Sequence, residues 1–182
     1  MNSAGNTLIT EEAIRSRVNE LGAEIARDYA GGRPVLVGVL NGALVFMADL
    51  MRAIDLPLEY YAVAASSYAG TESTGSVEII KPLDADVSGR DVIVVEDIVD
   101  TGITLDRLLQ DLRAAQPASI AVCTLLNKPS RRVVDVSIKY VGFEIPNEFV
   151  VGYGLDYNQQ YRNLPYVATL APEQDGQHRQ DG

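Results

Sequence analysis

Three carboxylates fall within five residues of this chain: Glu96, Asp97 and Asp100. They directly follow the apolar run DVIVV, and mutual repulsion makes such crowding costly unless a cation, a hydroxyl-rich ligand or protons relieve it. Thr101, Gly102, Ile103 and Thr104 come next and lead into a helical stretch. Small and hydroxyl residues at a helix N-terminus leave backbone N–H groups free to hold a phosphate, and the helix dipole assists. Acids beside such a cradle suit a sugar phosphate, because carboxylates accept bonds from ribose hydroxyls while amides hold the phosphate. For one isolated acid, helix capping is the better reading. For the whole string VIVVEDIVDTGITL it ranks second.

Other residues are ambiguous when each is taken alone. Lys128 follows the run SIAVCTLL, and most lysines are exposed surface residues. Phe149 and Val150, in EFVVGYGLDY, read as core. Asp156 and Arg162 read as a solvated pair, and Arg131 and Arg132 as surface or subunit-contact residues. Ser66, Ser67 and Tyr68 open SSYAGTESTG, a Ser-, Thr-, Ala- and Gly-rich stretch that reads as a mobile loop between two strands. Asn41 and Gly42 form a turn after Pro34-VLVGVL. Cys123 lies among Ile, Ala, Val and Leu, where a thiol is a small buried apolar group and not a nucleophile.

Elements that place these residues follow from periodicity. Ile14, Val18, Leu21, Ile25 and Tyr29 recur at helical spacing behind the possible cap Thr10, so a helix is predicted over residues 10–29. VLVGVL reads as a buried parallel strand, residues 42–54 as a helix, and 58–65 as a strand. Further strands are predicted at 77–80, 91–95 and 119–126, with a helix over 104–115 and an acidic loop starting at Glu96. Shorter β-like pieces lie at 136–143, 148–152 and 166–170. This alternation predicts an α/β fold with a mainly parallel central sheet flanked by helices. Ligands of such sheets bind beyond the carboxyl ends of the strands, which points to residues 40–42, 96–104 and 127 onward.

Composition narrows the function further. The chain has 182 residues, 47% of them apolar and 22% charged, and no apolar run approaches the length of a membrane span. Twenty-five acids against fifteen bases give a net charge of −10, which argues against nucleic acid and anionic membrane as partners. That charge is polarised: residues 84–111 hold eight acids and two bases, whereas residues 128–139 carry four bases and one acid. One cysteine excludes an intrachain disulfide and a cysteine-rich zinc site. The lone histidine, His178, lies in a polar tail, so histidine catalysis is not expected. The N-terminal segment has no basic stretch followed by an apolar one, and a cytoplasmic protein is expected.

VIVVEDIVDTGITL resembles the phosphoribosyl pyrophosphate (PRPP) signature of the type I phosphoribosyltransferases. The resemblance extends over residues 8–170 through VLNGALVFMADL, SSYAGTESTGSVEIIKPLDADVSGR, LLNKPSRR and KYVGFEIPNEFVVGYGLDYNQQYRNLPY. These look like hypoxanthine-guanine phosphoribosyltransferases. The resemblance implies the type I fold, with a small hood formed by the terminal segments, one domain over residues 1–170 and a polar tail over 171–182. It also implies magnesium-dependent transfer of 5-phosphoribosyl from PRPP to N9 of hypoxanthine or guanine. The products would be IMP or GMP and pyrophosphate, and the enzyme would be a homodimer or homotetramer.

Residue by residue, the resemblance assigns Glu96 and Asp97 to the ribose hydroxyls, directly or through magnesium-bound water. Asp100 becomes the general acid/base near N7 of the purine. Asp100, Thr101, Gly102, Ile103 and Thr104 become the 5′-phosphate cradle. Lys128 would meet O6 and select 6-oxo over 6-amino purines, since a donor-only ammonium opposes an amino group. Phe149 would stack on the ring and the Val150 backbone would pair with its edge. Asp156, counted also among the purine-binding residues, would help coordinate magnesium on the pyrophosphate side together with Glu96 and Asp97, and Arg162 would contact pyrophosphate with Asn41 and Gly42. Where the family commonly has a basic residue, this chain has Asn41, leaving main-chain amides but no side-chain charge. Ser66, Ser67 and Tyr68 would belong to a lid that keeps water from the reacting centre. A non-catalytic regulator on the same fold, binding PRPP or nucleotide, is the alternative. It would need a basic surface or an added DNA-binding segment, and the sequence offers neither.

Overall fold

The computed structural model describes residues 4–67, 77–81 and 83–170. Its main sheet has six strands: β2 (Val35–Leu40), β3 (Glu59–Ser67), β4 (Val77–Lys81), β5 (Asp91–Val99), β6 (Ser119–Asn127) and β7 (Tyr140–Glu144). They lie in the order β4-β3-β2-β5-β6-β7. Only β4 runs antiparallel to its neighbour; the other four pairings are parallel. A smaller antiparallel sheet joins β1 (Ala4–Ile9), β9 (Val167–Leu170) and β8 (Val150–Val151), which is the expected hood from the terminal segments.

Three helices cover the main sheet. Helix α1 (Glu11–Asp28) starts where Thr10 Oγ1 accepts the Ala13 N–H at 3.3 Å, with Glu11 and Glu12 suited to the positive end of the dipole. It buries Ile14, Val18, Leu21 and Ile25. At about 1.5–3 kcal/mol each, those side chains outweigh a cap worth about 1 kcal/mol, so packing holds this helix in place. Helix α2 (Leu44–Ala53) crosses α1 closely at Gly22, where an added Cβ would meet the Ala53 carbonyl oxygen at 2.5 Å. Helix α3 (Ile103–Ala114) covers the opposite face. The central strand shows the two layers directly: Ile93 and Val95 pack with α1 and α2, Val92 and Val94 with α3.

The topology creates a binding crevice. From β2 the chain moves outward to β3, whereas from β5 it moves the other way through β6 to β7. Neighbouring strands β2 and β5 therefore feed loops that diverge at their carboxyl ends, the switch point where open α/β sheets take ligands. The Asn41-Gly42 turn leaves β2 there, and residues 100–102 leave β5.

Several boundaries differ from expectation. Strand β5 continues through Glu96, Asp97, Ile98 and Val99, so the first two acids stand on a strand and not in a loop. Ladder bonds to β6 extend this far, with Glu96 beside Thr124 and Val99 beside Asn127. Ser66 and Ser67 close β3, paired with Glu78 and Val77 of β4, instead of opening a loop. Tyr68 lies outside the described residues, as does the tail from residue 171. Helix α2 is shorter than residues 42–54 because the turn through Gly42 precedes it. Strand β7 begins at Tyr140, later than 136.

Candidate active site

Gly42 is the first fixed point of the site. An added Cβ there would lie 1.7 Å from Asp97 Oδ2, so the carboxylate rests directly against the turn. On the other side, a Cβ on Gly154 would lie 2.2 Å from the Gly42 carbonyl oxygen. Only glycine permits both approaches, and Gly154 also has a left-handed φ of 100°. Three segments distant in sequence thus meet: the turn after β2, the end of β5 and the loop after β8. The Leu40–Asn41 peptide in this turn is cis, and Asn41 is exposed.

Asp97 also accepts the Ile98 N–H at 2.8 Å. Burial pushes its carboxyl up to about 6, with Asp156 adding to the rise and the Ile98 and Asp97 amides and Arg162 opposing it. Glu96 is 7% exposed, and burial together with the Asp97 charge holds its carboxyl well above the usual range. Successive strand residues project to opposite faces, so the two acids flank the strand end. Asp156 and Arg162 form an ion pair of 2.7 Å. Asp156 also accepts the Gln159 N–H, and Arg162 donates to the Gly154 carbonyl at 2.7 Å. The pair braces the loop whose backbone touches Gly42.

A second group gathers around Asp100. The main chain turns at Gly102, whose φ is 86° and whose Cβ would meet the Val134 carbonyl oxygen at 2.6 Å. Asp106 N–H to Gly102 carbonyl, at 2.9 Å, is the first bond of α3. The amides of Ile103, Thr104 and Leu105 therefore have no partner in the helix ladder, as an anion cradle requires. Thr101 Oγ1 lies 3.5 Å from the first of them. Asp100 does not cap the helix; the cap position is Gly102, and Thr101 just before it reaches the Ile103 amide with its hydroxyl.

Lys128 is not a surface residue. It is 6% exposed, and its ammonium donates to the Glu148 carbonyl at 2.6 Å. Burial lowers its pKa, while the carboxylate of Asp100 works in the other direction. Phe149 is 56% exposed, so it is not core; its ring meets Tyr157 edge-on at 5.7 Å. Val150 beside it is buried in β8. The ammonium, the open aromatic face and the carboxylate of Asp100 thus cluster on one side, and Gly42, Asp97, Asp156 and Arg162 on the other.

Arg131 and Arg132 are expected at the surface or a subunit contact; Arg131 is indeed exposed and Arg132 is half-buried, and both also lie at this site. Arg131 Nε donates to Asp100 Oδ1 at 3.1 Å. Arg132 donates to Asn127 Oδ1, its Cδ borders the Gly102 turn, and its Nη1 is buried without a partner among the described residues. The local excess of bases over residues 128–139 was the available signal. Cys123 is buried as expected, and burial pushes its thiol far above the range of a nucleophile.

A family model described as the phosphoribosyl transferase domain matches residues 6–158. The chain is 51% identical over 174 residues to a hypoxanthine-guanine phosphoribosyltransferase of Mycobacterium avium, covering 92% of this chain and 86% of that one. It is 51% identical over 166 residues to the enzyme of the same name from Bacillus subtilis, covering 91% and 92%. Among solved structures, a hypoxanthine phosphoribosyltransferase of Staphylococcus aureus superposes with a TM-score of 0.90 at 48% identity, covering 94% of each chain. With the fold and these relatives in agreement, the chain belongs to the phosphoribosyltransferase family, among its hypoxanthine-guanine members.

Proposed function

We propose that this chain is a purine salvage enzyme that transfers 5-phosphoribosyl from PRPP to N9 of hypoxanthine or guanine. The C1′–O bond to pyrophosphate breaks, the C1′–N9 bond forms, and IMP or GMP leaves with pyrophosphate. The observation that carries this reading is the meeting of Gly42, Asp97 and the Asp156–Arg162 pair at one switch point, with Lys128 facing Asp100 and bonded to Glu148, the neighbour of Phe149. The alternative of a non-catalytic regulator draws no support from relatives named as transferases.

Each residue then has a physical task. The open amides of α3 hold the 5′-phosphate, and the turn after Leu40 offers main-chain amides to pyrophosphate. Glu96 and Asp97 accept bonds from the ribose hydroxyls. Phe149 offers its exposed face to the purine ring, and Lys128 meets O6 with the donors left over from its bond to Glu148. Asp100 takes the proton that the base sheds as N9 becomes bonded. Adenine would place an amino group against the Lys128 ammonium, leaving donors unpaired on both sides.

The donor set fits magnesium. This cation prefers hard oxygen ligands, keeps several waters and commonly uses one or two carboxylates together with substrate phosphates. Among the described residues no three His, Cys, Asp or Glu side chains form a ready-made cage. Asp97, by contrast, is a buried carboxylate that senses Asp156, and a divalent charge relieves both penalties. Asp97 and Asp156, with Glu96 alongside, would hold an ion arriving with PRPP. Bound there, magnesium would supply positive charge to the leaving pyrophosphate.

The same proposal includes a homodimer or homotetramer, for which exposed Leu44 and Tyr60 offer apolar surface, and a cytoplasmic location. Among the described residues no helix is long and apolar enough to cross a membrane. The direct test is to incubate purified protein with PRPP, magnesium and each base, and to follow mononucleotide and pyrophosphate. Formation of both, lost on chelation, is expected; consumption of neither base rejects the reading.

A further inference from the structure

We propose that Arg131 is a positioning residue for Asp100: it holds one carboxylate oxygen so that the other faces the purine. The proposal rests on the reading of Asp100 as proton acceptor. Its geometric basis is the turn that follows β6. Residues Pro129–Arg131 form a single 3₁₀ turn, closed by Arg131 N–H to the Lys128 carbonyl and Arg132 N–H to the Pro129 carbonyl, both at 3.2 Å. This short turn brings Arg131 back over the end of β5.

Main-chain bonds pin that turn on both sides of Asp100. Lys128 N–H donates to the Val99 carbonyl at 3.0 Å, and Val133 and Val134 N–H donate to the Thr101 carbonyl at 2.9 and 3.1 Å. The backbone carrying Arg131 is thus registered to the residues immediately before and after Asp100. Contact between the side chains is single: Arg131 Nε to Asp100 Oδ1, 3.1 Å. Arg131 takes Oδ1, which leaves Oδ2 to a base.

Both side chains are substantially open to solvent, 47% for Arg131 and 37% for Asp100. An ion pair so exposed adds little to stability, so orientation is the role left for it. A carboxylate at a strand end can rotate among several staggered positions, and proton transfer needs one of them. Lys128 stands in the same unit, fixed on Glu148, so recognition of O6 and orientation of the proton acceptor are built on one rigid turn. An exposed arginine is also a safe position to change without unfolding the chain.

The test is steady-state kinetics with hypoxanthine and PRPP each varied, for wild type, Arg131→Gln, Arg131→Lys, Asp100→Asn and the Asp100→Asn/Arg131→Gln double variant. Arg131→Gln should lower kcat about tenfold and leave the KM for PRPP within about twofold. Arg131→Lys should recover part of that loss, because an ammonium keeps the charge but not the planar guanidinium geometry. In the Asp100→Asn background, Arg131→Gln should have no further effect. An Arg131→Gln enzyme with unchanged kcat, beside a crippled Asp100→Asn, overturns this proposal alone. So does a loss that multiplies that of Asp100→Asn. An Asp100→Asn enzyme as active as wild type overturns the acid–base reading and this inference with it.

Discussion

The two halves of the site are built by different means. Around Gly42, contact is made by backbone and glycine: Asp97 lies against the turn, Gly154 lies against its carbonyl, and no space remains for a Cβ at either position. Around Asp100, main-chain bonds and the close approach at Gly102 fix the frame, and the long side chains of Lys128 and Arg131 reach in from the turn after β6. The first half is tight and leaves a carboxylate poorly solvated. The second is open on one face, with Phe149 and Arg131 exposed to whatever enters. A charged leaving group is thus met by rigid main chain, and a flat neutral base by side chains carried on one pinned turn. This division predicts which substrate each substitution will disturb.

Gly42→Ala should have the largest effect. Its Cβ must displace Asp97 or the turn, and misplacement of about 1 Å costs about 100-fold or more in rate. The loss should appear as a fall of about 100- to 1000-fold in kcat/KM for PRPP, measured at saturating hypoxanthine. Lys128→Ala should come next, lowering kcat/KM for hypoxanthine by about 100-fold and eroding discrimination against adenine, measured by competition among purines. Unchanged selectivity would refute the role assigned to Lys128. Phe149→Ala removes a stacking surface worth about 1–3 kcal/mol per base and should raise the KM for purine about tenfold, read from initial rates at saturating PRPP. Because Phe149 is largely exposed, thermal stability should stay within about 0.5 kcal/mol of wild type.

The smallest effect is one of stability, with opposite sign to activity. Asp97 has a folded pKa raised to about 6, above the roughly 3.9 of an unfolded aspartate, so ionisation at neutral pH works against the fold. That cost is absent at low pH, develops as pH rises between about 4 and 6, and is complete above it. Asp97→Asn should therefore stabilise the protein by about 1–2 kcal/mol at pH 7.5 without magnesium or PRPP, while lowering transfer. Thermal unfolding from pH 7.5 down to pH 4 should show the gain shrinking to nothing. A gain independent of pH would mean that the charge of Asp97 is not its cause.

The sequence patterns reached these two halves unequally. Buried parallel strands announce themselves as unbroken apolar runs, and α1 announces itself by period and cap, so the sheet, its carboxyl edge and the acids of β5 were all readable. The extension of β5 past Val95 was not, because Glu96 and Asp97 break the apolar run although their backbone still pairs with β6. Ser66 and Ser67 looked like loop because small hydroxyl residues carry no strand signal, yet β4 pairs with them. The Arg131–Asp100 contact depends on a three-residue turn with no periodicity, and the Gly42–Asp97–Gly154 contact depends on the order of strands. Both are long-range facts. Local pattern contains neither, whereas family resemblance placed Gly42 and Asp97 at the site without the contact between them.

The most direct test of this division compares Gly42→Ala and Lys128→Ala in one series, with PRPP and hypoxanthine varied independently against wild type. Gly42→Ala should lose most of its kcat/KM for PRPP with the KM for hypoxanthine nearly unchanged, and Lys128→Ala should show the reverse. Equal losses toward both substrates in both variants would contradict a site divided between rigid main chain for the phosphoribosyl donor and side chains for the base.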